Sequence, residues 1–291
     1  MPYWRGHTQG NRPLTDLHLA PRRGPHKHAE TVASSLRFAL KTLTALNSKT
    51  PTAEKHGYLQ SILYLAPHTV AGGATVCPHS TAACRAGCLY SAGRGAFDNV
   101  RAARVRRTLA YLNDRPRFLA DLVRELRLME DVARQNGLKL AVRLNGTSDV
   151  LWERERLADG RSLFETFSEA TFFDYTRTPA QHRRVPANWH LTFSLADDPL
   201  EHAIEHLQAG RSVAAVVPEH LQERLVGDVG HIWLGAVKAH YVDGAAHDLR
   251  FLDPRPAIVL LKPKGALRRG GPMVRERLGI DLMLAARSMQ P

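Results

Sequence analysis

Short apolar runs alternate with helical stretches along most of this chain, and that alternation constrains its fold more than any other feature. Tyr58–Ala66 (YLQSILYLA), Leu138–Leu144 (LKLAVRL), Thr171–Thr176 (TFFDYT), His190–Leu195 (HLTFSL), Ser212–Val217 (SVAAVV) and Ala257–Lys262 (AIVLLK) read as buried strands. A further strand is expected within His231–Val242. Helical spacing covers Phe97–Leu112, Arg115–Gln135 and Leu200–Gln208, with Asp114 as a cap and Pro116 tolerated in the first turn of the second. A short helix through VLWERERL is expected, capped by Ser148 or Asp149. Short buried strands alternating with helices call for a parallel sheet covered by helices. The expected class is therefore α/β, a full or partial TIM-like (β/α) barrel with its chemistry where the strands end. An open doubly wound sheet is the competing arrangement. No GxGxxG follows a strand and no GxxxxGK[ST] occurs, so neither a dinucleotide fold nor a P-loop is supported.

Three regions are expected. Residues 1–46 comprise a basic arm (1–28, rich in Pro, Gly, Arg and His) and an amphipathic helix over Ala29–Leu46, ended by NSKTP. Residues 47–265 form the barrel-like domain, and 266–291 a tail that is partly helical over Met273–Met289. No apolar run reaches the roughly 18–20 residues of a membrane span, and the first residues lack the apolar core of a secretion signal. A cytoplasmic protein is expected, with no membrane partner.

All three cysteines, Cys77, Cys84 and Cys88, fall within VCPHSTAACRAGCLYSAGRG, with spacing C-x6-C-x3-C. Cysteines used as small core hydrophobes would scatter, whereas three on a Gly-, Ala- and Ser-rich loop suggest thiolates converging on a soft cation or cluster. Their odd number argues against a disulfide framework. Three thiolates can hold a [4Fe–4S] cluster with one iron left open. Zinc is the alternative and needs a fourth ligand, for which His68 and His79 are nearest.

The formal net charge of +12 attracts polyanions, so a nucleic acid or nucleotide-containing substrate is expected. Arg94, flanked by Gly93 and Gly95, together with Arg104, Arg107 and Lys262, are the candidate anion contacts. At the second strand's end RLNGTSD places Arg143, Asn145, Gly146 and Asp149, a cofactor or substrate rim, or simply a polar turn. Asp174 is a carboxylate in an apolar strand, which is costly unless functional or paired, for instance with Arg143. Asp149 and Asp174 are the candidate catalytic groups. Ser194 and Asp197 end the fourth strand. His240, Asp243 and Asp248 suggest either a hard-metal site or a turn-rich surface hairpin.

The cysteine loop after the first strand resembles that of radical S-adenosylmethionine enzymes, whose usual motif is C-x3-C-x2-C. Both spacings differ here and no GGE motif is present. The resemblance implies S-adenosylmethionine bound through its amine and carboxylate to the open iron, and reductive cleavage to a 5′-deoxyadenosyl radical. It also implies roles for Tyr90, as the aromatic beside the last cysteine, and for Asn145-Gly146 near the methionine group. A closer resemblance is to the gene product 88 family of bacteriophage proteins. It is carried by NSKT (Asn47–Thr50), ILYLAP (Ile62–Pro67), CP…C…CLYSAGRG, VRLNGTSD (Val142–Asp149) and FDYT (Phe173–Thr176), over roughly residues 45–265. That family supplies no established activity. It implies a phage or prophage origin, and host cytoplasm as the location of a phage-encoded chain.

Overall fold

The computed structural model describes residues 43–45, 49–234, 237–271 and 273–274. The expected arm, most of the Ala29–Leu46 helix and the helical tail beyond residue 274 lie outside the described residues. Within them the chain is a mixed α/β fold with nine strands in one sheet: β1 Thr44–Ala45, β2 Tyr58–Leu63, β3 Lys139–Arg143, β4 Thr171–Thr176, β5 Trp189–Leu195, β6 Ser212–Val216, β7 His231–Leu234, β8 Val237–Asp243 and β9 Ala257–Leu261. Seven α-helical segments accompany them: α1 Thr50–Lys55, α2 Ala82–Ala86, α3 Asp98–Asn113, α4 Arg115–Gln135, α5 Leu163–Thr166, α6 Leu200–Gln208 and α7 Glu219–Arg224.

The strands lie in the order β1-β2-β3-β4-β5-β6-β9-β8-β7. From β2 to β6 they follow chain order and pair in parallel, and β9 and β8 continue the parallel set. The margins are antiparallel, β1 against β2 and β7 against β8. The sheet is therefore open, which corrects the expectation of a fully closed barrel. The physical reason lies in the connections. β3 to β4 crosses by a 3-10 turn and the four-residue α5, and β4 to β5 by a single 3-10 turn, so no continuous ring of helices surrounds the sheet. The β7–β8 hairpin then occupies the edge beyond the last strand, β9.

One sheet face is apolar and carries α4 and α6. α4 turns Phe118, Leu119, Leu122, Leu126, Met129, Val132 and Ala133 inward at helical spacing. They meet Leu59, Leu63, Leu140, Val142, Phe172 and Leu191 from alternate strand positions. Each such large side chain contributes about 1.5–3 kcal/mol on burial. Asp114 caps α4 as expected, accepting the Arg117 N–H at 3.2 Å. α6 covers the β5–β6–β9 part through Ala203 and Leu207. The opposite face holds a smaller cluster of Ala53, Ala141, Phe173 and Leu249, with the Phe251 ring edge-on to Tyr58 and Phe173.

Three local expectations differ. Thr44–Ala45, placed in a helix by its period, pairs instead with Ile62 and Leu63, and the Glu125 carboxylate of α4 accepts the Leu43 and Thr44 N–H groups at 2.6 and 2.7 Å. VLWERERL forms one 3-10 turn, Trp152–Arg154, with no side-chain cap, because Ser148 and Asp149 bond elsewhere. His231–Val242 splits into the hairpin β7–β8.

Candidate functional site

The parallel strands deliver their loops to one end of the sheet, and the cysteine segment begins there as β2 finishes. Val76 N–H bonds back to His68 O at 3.1 Å, and Cys77 Sγ accepts the His68 N–H at 3.2 Å. His68 itself takes a positive φ of 37°, uncommon for a non-glycine residue and confined here to this bend. Thr81 caps α2 by accepting the Cys84 N–H at 3.1 Å and donates its own hydroxyl proton to Asp197 at 2.5 Å. That ties the cysteine helix to the end of β5. Cys88 follows directly on Gly87, the residue that ends α2.

All three thiols are free and half-buried. Burial pushes Cys77 up to about 12, offset by the His68 N–H and reinforced by Asp149, Cys88 and Cys84. Burial pushes Cys84 up to about 11; Arg177 opposes this, while Cys88, Asp149 and Asp197 add to it. Burial also raises Cys88, against the Tyr90 N–H and Arg104. Cys77 and Cys84 thus both feel Cys88 and Asp149. Among the described residues, however, no three Cys, His, Asp or Glu side chains are grouped closely enough to hold a metal ion. The donor chemistry is that of a soft-metal site, while the side chains as placed do not form a coordination sphere. Neither candidate histidine completes one: His68 Nδ1 faces Thr69 Oγ1 at 3.1 Å, and His79 stacks on His182 with centroids 6.0 Å apart.

Asp149 stands beside this loop because its N–H bonds to Val76 O at 2.9 Å. Its carboxylate accepts the Arg177 N–H at 2.8 Å and the Thr178 hydroxyl at 3.2 Å, and lies 3.5 Å from Arg183 Nη1. Asn145 shapes the turn that brings it there. Asn145 Oδ1 accepts from Ser148 Oγ, Val150 N and Trp152 Nε1, and its Nδ2 donates to Val150 O. Those bonds occupy the side chain that the radical-enzyme resemblance would turn toward a cofactor. Gly146 is required sterically: a Cβ there would fall 2.8 Å from Leu63 O and 2.6 Å from the Tyr64 ring.

The remaining candidates are dispersed. Asp174 is 1% exposed and accepts from Asn145 N and Trp189 Nε1. It does not pair with Arg143, whose guanidinium instead lies 4.8 Å over the Tyr175 ring on the opposite face. This corrects the expected Arg143–Asp174 bridge: the Asp174 carboxylate is held by the Asn145 backbone and the Trp189 indole. Arg104 is 7% exposed, bonded to Tyr90 O at 3.0 Å and lying over the Tyr64 and Tyr90 rings, so it braces the cysteine loop and presents no surface charge for an anion. Tyr90 is thereby engaged with Arg104. Arg107 is half-buried near Glu125. Lys262 pairs with Glu219, and Ser194 contributes its carbonyl to Arg177. Arg94 is exposed. Asp243 accepts from Gln222 and Asp248 pairs with Lys49, and among the described residues no metal-holding group forms with His240.

Four residues that were not among the candidates complete the surroundings. Arg183, with its Nε 3.1 Å from Glu153, places a buried cation next to Asp149, while Arg177 gives Asp149 its backbone N–H and turns its guanidinium to both Asp198 oxygens. Arg183 was legible only as part of a basic QHRR run; its partners lie 30 and 34 residues earlier in the chain.

The chain matches no curated protein and no solved structure. The family model described as gene product 88 matches residues 38–276, spanning the sheet, the cysteine loop and the Asn145–Asp149 turn. The chain therefore belongs to the gene product 88 family.

Proposed function

We propose that this chain is an iron–sulfur enzyme of partial (β/α)-barrel type, related in mechanism to radical S-adenosylmethionine proteins and acting on a nucleic acid or nucleotide. The observation that carries the reading is that three unbridged thiols share one loop at the strand ends, where Cys77 and Cys84 both feel Cys88 and Asp149. Cys77, Cys84 and Cys88 would hold the cluster after a local rearrangement of the loop. A bound cluster with an open iron would supply one-electron reduction to a sulfonium cofactor.

The chain's own residues have definable roles. Thr81, between Cys77 and Cys84, and the Arg104–Tyr90 contact, just past Cys88, fix the loop. Arg177 and Arg183 offset the negative charge that three thiolates would bring. Asp149, held by backbone and hydroxyl donors, is a carboxylate whose charge acts on Cys77 and Cys84. The five strands β2 to β6, adjacent in chain order, support the partial-barrel reading.

Anaerobic reconstitution with ferrous iron and sulfide, followed by electron paramagnetic resonance of the reduced protein, tests this. A cluster signal that changes on adding S-adenosylmethionine is expected. A cluster indifferent to that cofactor rejects the radical mechanism. A colourless protein with stoichiometric zinc favours a zinc-stabilised nucleic-acid-binding protein without turnover.

A further inference from the structure

The stretch after β9 packs directly on the cysteine segment. Leu267 and Met273 share an apolar cluster with Ala83 of α2 and Ala196 at the end of β5. Gly87 lies so close that a Cβ would fall 2.6 Å from Met273 Sδ and 2.8 Å from Leu267 Cδ2, and one at Gly265 would touch Ala92 at 3.1 Å. Anchoring Leu267 inward leaves Lys264, Arg268 and Arg269 exposed, on the same rim as exposed Arg94. None of these four has an acidic partner among the described residues, and neighbouring Asp98 is offset by Arg101 at 3.8 Å. Phe97, 60% exposed, follows Arg94 by three residues and donates its N–H to Arg94 O at 3.2 Å.

We propose that a single-stranded nucleic acid crosses this rim, its phosphates on Arg94, Lys264, Arg268 and Arg269 and a base stacked on Phe97. The inference rests on the substrate half of the reading above and deepens it. Clustered cations with an exposed aromatic near one of them are what a single strand needs, because only an unpaired base offers its face for stacking. The thiols lie half-buried behind the rim, so a base must also leave any duplex stack to approach them.

Fluorescence anisotropy on the full chain tests the surface, using dye-labelled oligothymidylate and oligouridylate long enough to cover about 16 nucleotides, and the corresponding duplexes. The combined variant Arg94→Ser/Arg268→Ser/Arg269→Ser is expected to bind about tenfold more weakly or worse, with a salt slope shallower by about 2. Phe97→Ser is expected to lose about fivefold or more with its salt slope unchanged. Arg124→Ser/Arg134→Ser, on exposed positions of α4, should bind as the wild type does; unchanged melting temperatures establish that all variants are folded. Retained binding by the rim variant, equal loss in the α4 control, or duplex bound as tightly as single strand would each overturn the inference alone. Absence of any binding would overturn it together with the nucleic-acid substrate, while the iron–sulfur assignment would stand or fall on its own spectroscopy.

Discussion

Asp174 accepts the backbone N–H of Asn145 at 2.6 Å, so a carboxylate inside β4 fixes the first residue of the turn that presents Asp149. Its second oxygen accepts Trp189 Nε1–H at 3.1 Å. Both bonds favour the ionised form, as does Arg143, yet burial outweighs them and pushes the carboxyl up to about 7.

A pH dependence follows from that balance. Below about pH 4 folded and unfolded chains both hold this proton. As pH rises toward 7 the unfolded chain loses it first, so the site contributes a loss of stability across that window. Measured by urea denaturation, the wild type should lose stability relative to Asp174→Asn as pH climbs from about 4 to about 7. Parallel curves for the two proteins would contradict the assignment.

Arg104 should prove structural and local to Cys88. Its Nη1 holds Tyr90 O, two residues past the thiol, and its guanidinium spans two tyrosine rings. Arg104→Gln should cost about 2 kcal/mol and speed deuterium labelling of the backbone amides around Cys88, with Arg104→Lys rescuing little because the planar fork is lost. Unchanged labelling would show that the contact does not brace the loop.

Two adjacent aspartates should behave differently. Asp198 binds both terminal nitrogens of Arg177, a side chain only 6% exposed, whereas Asp197 is 39% exposed and 3.8 Å away. Asp198→Asn should cost about 3 kcal/mol by leaving a buried cation poorly paired, and Asp197→Asn less than about 1 kcal/mol. Thermal melts of the two variants check the contrast; equal costs would contradict it.

Gly146→Ala should destabilise by about 1–3 kcal/mol, since the new methyl meets backbone oxygen as well as the Tyr64 ring. Unaltered denaturant midpoints would mean that the turn can move away from β2 freely.

Much of this fold was legible where periodicity was long or unambiguous. β4, α4 and α6 fall on the expected residues. The sequence reading failed where a distant partner decided the outcome. Glu125 holds the Leu43–Thr44 backbone in an edge strand, and Asn145 captures the Trp152 indole in a stretch whose spacing resembles a helix. At the site, Cys77, Cys84 and Cys88 announced themselves by clustering, and Asp149 by its place at a strand end. Arg104 and Arg183 looked like surface cations because charge alone does not say which way a side chain faces. Both are buried, and their contacts lie 14 or more residues away in sequence.

The central claim is that Cys77, Cys84 and Cys88 together bind an iron–sulfur cluster. Iron, sulfide and zinc analysis of anaerobically purified protein, beside the three single Cys→Ala variants, tests it most directly. The account predicts iron and sulfide with a brown absorbance near about 400 nm, lost in each variant. Stoichiometric zinc without colour, or iron retained after removal of any one of the three thiols, would contradict it.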